Sequence, residues 1–143
     1  ILFAVFFLIF SSNGSNSNIS YKEPRSTYIP KCTTISYESL ARSPNLYKGN
    51  NYKMKGQVMQ VINGNGNNVD LLVNVTPSFL FGVTYYEDTM YVTYKYSSAE
   101  KKILEGDIII MYGKYAGIQD YLTVLGAKNS VPRLDAMYID NSY

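Results

Sequence analysis

Residues 104–117, Leu-Glu-Gly-Asp-Ile-Ile-Ile-Met-Tyr-Gly-Lys-Tyr-Ala-Gly, constrain the fold more than any other stretch of the chain. Glu105-Gly106-Asp107 reads as a turn that launches an apolar strand, which runs through Gly113 and ends at Gly117. Ile108 and Ile110 lie on one parity and Ile109 and Met111 on the other, the pattern of a strand covered on both faces. Gly113 inside the strand permits a sharp bend or bulge. A small closed barrel needs such a strand, because its strands must coil strongly to close.

The rest of the chain supplies partners for that strand. A first strand spans residues 52–62, with Tyr52, Met54, Gly56, Val58 and Ile62 on the inner face and Lys53, Lys55 and Gln57 on the wet one. Gly56 marks a second bend. The Asn/Gly-rich residues 63–68 are a hairpin signal. Residues 69–76 form the second strand, with Val69, Leu71, Val73 and Val75 inward and Asp70, Leu72 and Asn74 outward. A long aromatic connection over 77–88 leads to a third strand at 89–96, where Met90, Val92 and Tyr94 alternate with Tyr91, Thr93 and Lys95. After the strand from 108, residues 118–120 read as a turn, 121–126 as a fifth strand, 127–132 as a loop and 134–139 as a last apolar strand. Ahead of the barrel, Ser36 caps a short helix over 36–42 that Pro44 limits, and residues 45–50 form a turn. The expected fold class is all-β: a small five-stranded Greek-key barrel of the OB type, spanning about residues 50–128, with a short N-terminal helix.

Length allows one domain: 143 residues with 46% hydrophobic and 17% charged side chains are enough for one packed core. The N-terminal third differs from the rest. Residues 1–10 are apolar throughout, too short for the roughly 20 residues that span a bilayer, and fit the end of a signal peptide or of a membrane anchor. Residues 11–32 read as a Ser/Asn-rich disordered tether and 33–143 as the barrel domain. Export to the cell surface is the expectation, with a membrane contact through residues 1–10 if that segment is not cleaved.

Several patterns resemble known families. Tyr47-Lys48-Gly49, Lys53-Met54-Lys55-Gly56-Gln57-Val58, Leu104-Glu105-Gly106-Asp107 and Tyr112-Gly113-Lys114-Tyr115 together resemble the bacterial OB-fold families related to tRNA-anticodon-binding domains. Residues 121–126, Val131-Pro132 and 136–139 resemble a narrower set of exported or lipid-anchored Gram-positive proteins of unknown function. The resemblance covers residues 36–140, and the aromatic 77–88 segment departs from it. It implies a ligand face across the second and third strands, at Asp70, Leu72, Asn74, Tyr91, Thr93 and Lys95, flanked by loops 63–68 and 117–120. Lys53, Lys55 and Gln57 lie on the neighbouring outer face.

Charge then weighs against some ligands. The chain carries 13 basic and 11 acidic residues, and Lys22, Arg25, Lys31 and Glu23 precede residue 33, leaving ten of each sign in the domain. A neutral domain lacks the phosphate neutralisation that nucleic-acid affinity requires. The absence of His removes the commonest general base and metal ligand, and a lone Cys32 neither pairs within the chain nor builds a zinc site. No nucleophile–base constellation is visible, and Glu87-Asp88 alone falls far short of a calcium site. These observations predict a non-catalytic module without cofactor or metal, binding a protein, peptide or glycan. A single-stranded nucleic-acid binder, with Tyr91 stacking and Lys95 on phosphate, is the alternative. A structural or regulatory accessory of an envelope assembly is the third reading. Phe79, Leu80 and Phe81 are expected to fold over an open barrel end, with an exposed recognition patch as the alternative.

Overall fold

The computed structural model describes residues 21–142. In chain order these form α1 (Arg25–Tyr28), a 3-10 turn (Ile29–Lys31), β1 (Thr33–Thr34), α2 (Tyr37–Arg42), α3 (Pro44–Tyr47), β2 (Asn51–Asn63), β3 (Asn68–Leu80), β4 (Val83–Lys95), β5 (Ile108–Leu122) and β6 (Lys128–Asn141). The five long strands close a barrel in the order β2-β3-β4-β6-β5 and back to β2. β4 and β6 run parallel and the other barrel pairs antiparallel, while β1 adds a short parallel edge to β2. This is the expected all-β, OB-like barrel.

β2 makes the closure. Residues 51–57 pair with β5, and the strand then turns to pair with β3 from Gln57 onward. Gly56 sits at that handover, where an added Cβ would stand 2.3 Å from the Asn74 carbonyl oxygen. Gly113 sits at the Tyr112/Gly113 register shift against β6, where a Cβ would stand 2.4 Å from the Asp135 carbonyl oxygen and 2.7 Å from the Ala136 Cα. Both glycines let backbones approach where coiled strands meet. The turn before β5 docks on β2: the Gly106 amide donates to the Val58 carbonyl, and the Val58 amide to the Asp107 carbonyl.

The inner face of β3 and β4 is buried as the alternation predicts, with Val69, Leu71, Val73, Val75, Met90, Val92 and Tyr94 in the core. Tyr96 and Ile103 bury beside them, in and after the turn that follows β4, and the Ile103 amide donates to the Tyr96 hydroxyl at 2.8 Å. α2 carries a fully buried Leu40, whose carbonyl accepts from the Tyr115 hydroxyl at 3.1 Å. As expected, Ser36 caps α2, its side chain accepting from the Ser39 amide. The turn expected after it contains the short helix α3.

Four boundaries differ from expectation. Met59 is bulged between the Val58–Val73 and Gln60–Leu72 pairs, which flips the parity, so Val61 packs on the core and Ile62 is exposed. Residues 77–88 are no long connection: β3 and β4 run on to Leu80 and Val83 around a two-residue turn at Phe81-Gly82. Phe79, Leu80 and Phe81 therefore do not fold over the barrel, and Phe81 is 95% exposed. The expected turn at 118–120 and all but Ala127 of the expected loop at 127–132 are strand, because a bulge with Gly117 at φ 92° carries β5 on to Leu122, and β6 begins at Lys128. Of the expected fifth strand at 121–126 only Tyr121 and Leu122 are strand, the end of β5, and the rest is the turn into β6, which contains the expected last strand at 134–139 and carries the barrel to Asn141 rather than to about 128.

The expected tether over 11–32 differs from residue 21 onward. Tyr28 is buried, its hydroxyl donates to Asn51 at 3.0 Å, and its ring stands 6.1 Å from that of Tyr138. Arg25 pairs with Asp140 at 2.6 Å, and the Tyr138 hydroxyl donates to the Glu23 carbonyl. Two tyrosines and three long-range polar contacts hold a segment whose composition alone suggested none. Residues 1–10 and 11–20, with the targeting segment and the first part of the tether, lie outside the described residues.

Candidate ligand-binding face

Strand pairing places most of the expected face together. Asp70 stands opposite Thr93, Leu72 opposite Tyr91 and Asn74 opposite Thr89 on β3 and β4. The parallel β4–β6 contact adds Arg133 beside Tyr91 and Asp135 beside Thr93. β5 extends the face with Gln119 and Tyr121, whose ring lies 6.4 Å from that of Tyr91.

The side chains are tied to one another. The Tyr91 hydroxyl donates to Asp70. Burial first, and this bond second, push the Tyr91 phenol up to about 12. Asp135 accepts from the Thr93 hydroxyl at 2.8 Å and from Arg133 Nε at 2.7 Å, and Arg133 also donates to Gln119 at 2.9 Å. Gln119 lies in the expected flanking segment 117–120, while sequence reasoning missed Arg133, Asp135 and Tyr121. Their signal was the Arg133-Leu134-Asp135 alternation around a fully buried leucine.

Three expected residues do other work. Leu72 is outward by parity yet only 8% exposed, so it packs rather than presents a surface. Asn74 holds a kink: Asp88 at φ 63° interrupts the ladder, and the Asn74 amide donates to the Tyr86 carbonyl at 3.0 Å while its oxygen accepts from Thr89 at 2.7 Å. Gln57 donates to the Gly106 carbonyl at 3.4 Å. Lys53 and Lys55 are not brought to the face, because their half of β2 pairs with β5, opposite Tyr112 and Ile110.

Open space follows the C-terminal end of β4. Asn68, Asp70, Thr93, Tyr94, Lys95 and Ala136 line a cavity of about 290 Å³. It shares Lys95 and Ala136 with a second, of about 480 Å³, that reaches Tyr21, Lys22, Tyr96 and Asp135. A third, of about 410 Å³, shares Lys22 and runs along Arg25, Glu100, Lys101, Tyr138 and Asp140. The three make one open groove lined by four cations (Lys22, Arg25, Lys95, Lys101) and four carboxylates (Asp70, Glu100, Asp135, Asp140).

Aromatic rings shape the groove's charges. The Lys22 ammonium lies 4.2 Å from the centroid of Tyr138 and 5.9 Å from that of Tyr94. Burial lowers its pKa, with Glu100 pulling the other way and Arg25 adding to the fall. Tyr94 donates to Glu100 at 2.5 Å, and burial followed by that bond raises its pKa. Burial pushes the Cys32 thiol up, and its Sγ lies 3.6 Å from the Tyr28 carbonyl. Among the described residues, no three His, Cys, Asp or Glu side chains come together as a metal site.

No protein-family model matches the chain, and no curated protein matches it.

Proposed function

We propose that this chain is an exported, non-catalytic OB-like binding module that takes a neutral or weakly charged polar ligand, a peptide or glycan strand, along the β4–β6 groove. The balance of charge in the groove carries this reading. Four cations face four carboxylates, so a polyanion gains no net attraction, while an uncharged polar chain finds donors and acceptors of both kinds. Tyr21, exposed, and Tyr138, half-buried, add ring faces for sugar or peptide planes. Export rests on the apolar residues 1–10, and a non-catalytic role on the absence of any histidine and, among the described residues, of a nucleophile–base pair.

Nucleic acid is the competing ligand. A single-strand groove presents several cations along a backbone and two or three free stacking rings. Here the Tyr91 hydroxyl is held by Asp70, and Arg133 by Asp135 and Gln119. Fluorescence anisotropy with a labelled single-stranded oligonucleotide is expected to show binding no tighter than about 100 µM at physiological salt, the non-specific regime. Micromolar binding lost on replacing Tyr91 or Lys95 would overturn the proposal in favour of nucleic acid. NMR titration with short oligosaccharides and peptides tests it directly, with shifts expected at Asp70, Thr93, Lys95 and Asp135.

A further inference from the structure

The β3–β4 and β5–β6 hairpins leave the barrel at the same end, because β3 and β5 both run antiparallel to β2. Their heights match. Counted back from the paired residues Tyr91 and Arg133 along parallel strands, Gly82 is nine residues away and Leu125 eight, about 26–30 Å at about 3.3 Å per residue. β4 and β6 pair only at residues 91–93 and 133–135, so the two hairpins stand as separate prongs.

Both tips are apolar and exposed. Phe79, Phe81 and Val83 are 73%, 95% and 63% exposed on one prong; Leu122, Val124 and Leu125 are 73%, 96% and 96% exposed on the other. Residues 77–86 and 121–127 contain no charged side chain. Their backbones are largely satisfied internally, by the β3–β4 ladder up to the Leu80–Val83 pair, and by the Thr123 amide on the Ala127 carbonyl and the Gly126 amide on the Thr123 carbonyl. The choice of Phe81 points the same way. It sits at φ 50°, followed by Gly82 at φ 78°, where a two-residue hairpin favours Asn-Gly. A bulky ring at positive φ is locally unfavourable, and here it meets solvent rather than a core.

We propose that the two tips form a two-pronged device that inserts into a zwitterionic lipid surface. Two convex, separated tips of a few apolar residues each do not make the contiguous patch of 20–30 residues per side that a stable protein interface uses. They fit an interface into which apolar groups sink by about 5–10 Å, with Tyr85, Tyr86 and Tyr121 at the water boundary. Backbone paired within a hairpin is what such a medium tolerates. Charge selects the lipid. Glu87 and Asp88 flank one tip, and Asp120, paired with Lys128 at 3.0 Å, flanks the other. The Glu87 and Asp88 carboxylates complement the outward ammonium of zwitterionic headgroups and repel an anionic surface, while the Asp120–Lys128 pair carries no net charge.

The test uses the full chain, phosphatidylcholine vesicles, and hydrogen–deuterium exchange of residues 79–85 and 121–127. Those amides are expected to gain protection with vesicles. The double variant Phe81→Asp with Leu125→Asp is expected to lose that protection and to lower vesicle partitioning at least tenfold, with the melting temperature not lowered. Asp is accepted at positive φ, so the first substitution leaves the turn intact. Vesicle binding through residues 1–10 that leaves the tips unprotected would overturn the proposal. So would partitioning that needs anionic lipid, or a dimer in solution that dissociates in the double variant. The groove is not involved in any of these readouts, so its ligand and this surface fail or stand separately.

Discussion

Gly113→Ala tests the physical basis of barrel closure. The added methyl would lie 2.4 Å from the Asp135 carbonyl oxygen and 2.7 Å from the Ala136 Cα. A relaxed C···O approach is about 3.3 Å, so the overlap is about 0.9 Å, and both obstructing atoms are backbone of β6. Rotamer changes offer no relief. The β5–β6 seam must open at the register shift where the strands coil. Overpacking of ordinary cores costs about 1–3 kcal/mol, and a backbone obstruction belongs at the upper end, about 3 kcal/mol. For a domain of this size that corresponds to a fall in melting temperature of roughly 10–15 °C. Gly126→Ala is the control. It sits at φ 82° with nothing within 4 Å of an added Cβ, so only its backbone conformation is penalised, by about 1 kcal/mol. Thermal and urea unfolding followed by circular dichroism measure both. Equal losses in the two variants would refute the steric account of closure.

Leu40→Ala should destabilise the fold by about 2–5 kcal/mol in the same urea assay, because the side chain is fully buried in the core and α2 moves little when it shrinks. Phe81→Asn should raise stability by about 1 kcal/mol, since a ring exposed to water is replaced by a residue that accepts positive φ; a loss would show that Phe81 packs in solution. Tyr91 predicts a pH dependence. Its folded pKa is pushed up from 10.0 to about 12, so the folded state holds the proton more tightly, and this contribution to stability is complete below pH 10 and is lost as pH rises towards 12. Absorbance titration near 295 nm should show a late phenol that disappears in Tyr91→Phe, and stability that falls with pH across that window less steeply in the variant than in the wild type.

Period-2 alternation made the barrel legible wherever both neighbours in the sheet are regular. Val69, Leu71, Val73 and Val75 face Met90, Val92 and Tyr94 as their parity states. It failed where a bulge resets parity. Met59 moved Ile62 outward, and the Gly117 bulge turned an expected turn into strand, since a bulge is set by how two chains pair and not by either alone. The aromatic 77–88 segment looked like a loop because its turn uses Phe-Gly in place of Asn-Gly, and because Pro77 and Asp88 interrupt the pattern. Tyr21 to Lys31 looked like a tether because its anchors are tyrosines and one ion pair whose partners lie more than 100 residues away. Asp70, Tyr91, Thr93 and Lys95 were legible as a face because adjacent strands show the same parity. Arg133 and Asp135 were not, because the parallel β4–β6 contact joins strands about 40 residues apart.

The state of those side chains bears on what the groove can hold. Asp70, Tyr91, Thr93, Arg133, Asp135 and Gln119 already satisfy one another, so a ligand that addresses them must replace existing hydrogen bonds. Such an exchange is nearly neutral when the ligand returns a bond for each one broken, and costly when it strands a half-buried charge. A polyanion would compete for Arg133 and leave Asp135 with one partner fewer. An uncharged polar chain with alternating donors and acceptors can serve both without separating them. The half-buried Tyr138 ring beside Lys22, together with the exposed Lys95 and Lys101, then supplies contacts that need no rearrangement. Selectivity for uncharged over anionic ligands therefore follows from the pairing of the face itself, and replacing Asp135 with Asn should weaken it: Arg133 would lose its carboxylate partner, and anisotropy with the labelled oligonucleotide should show tighter binding than in the wild type. Unchanged oligonucleotide affinity in that variant would mean that pairing on the face does not set the selectivity.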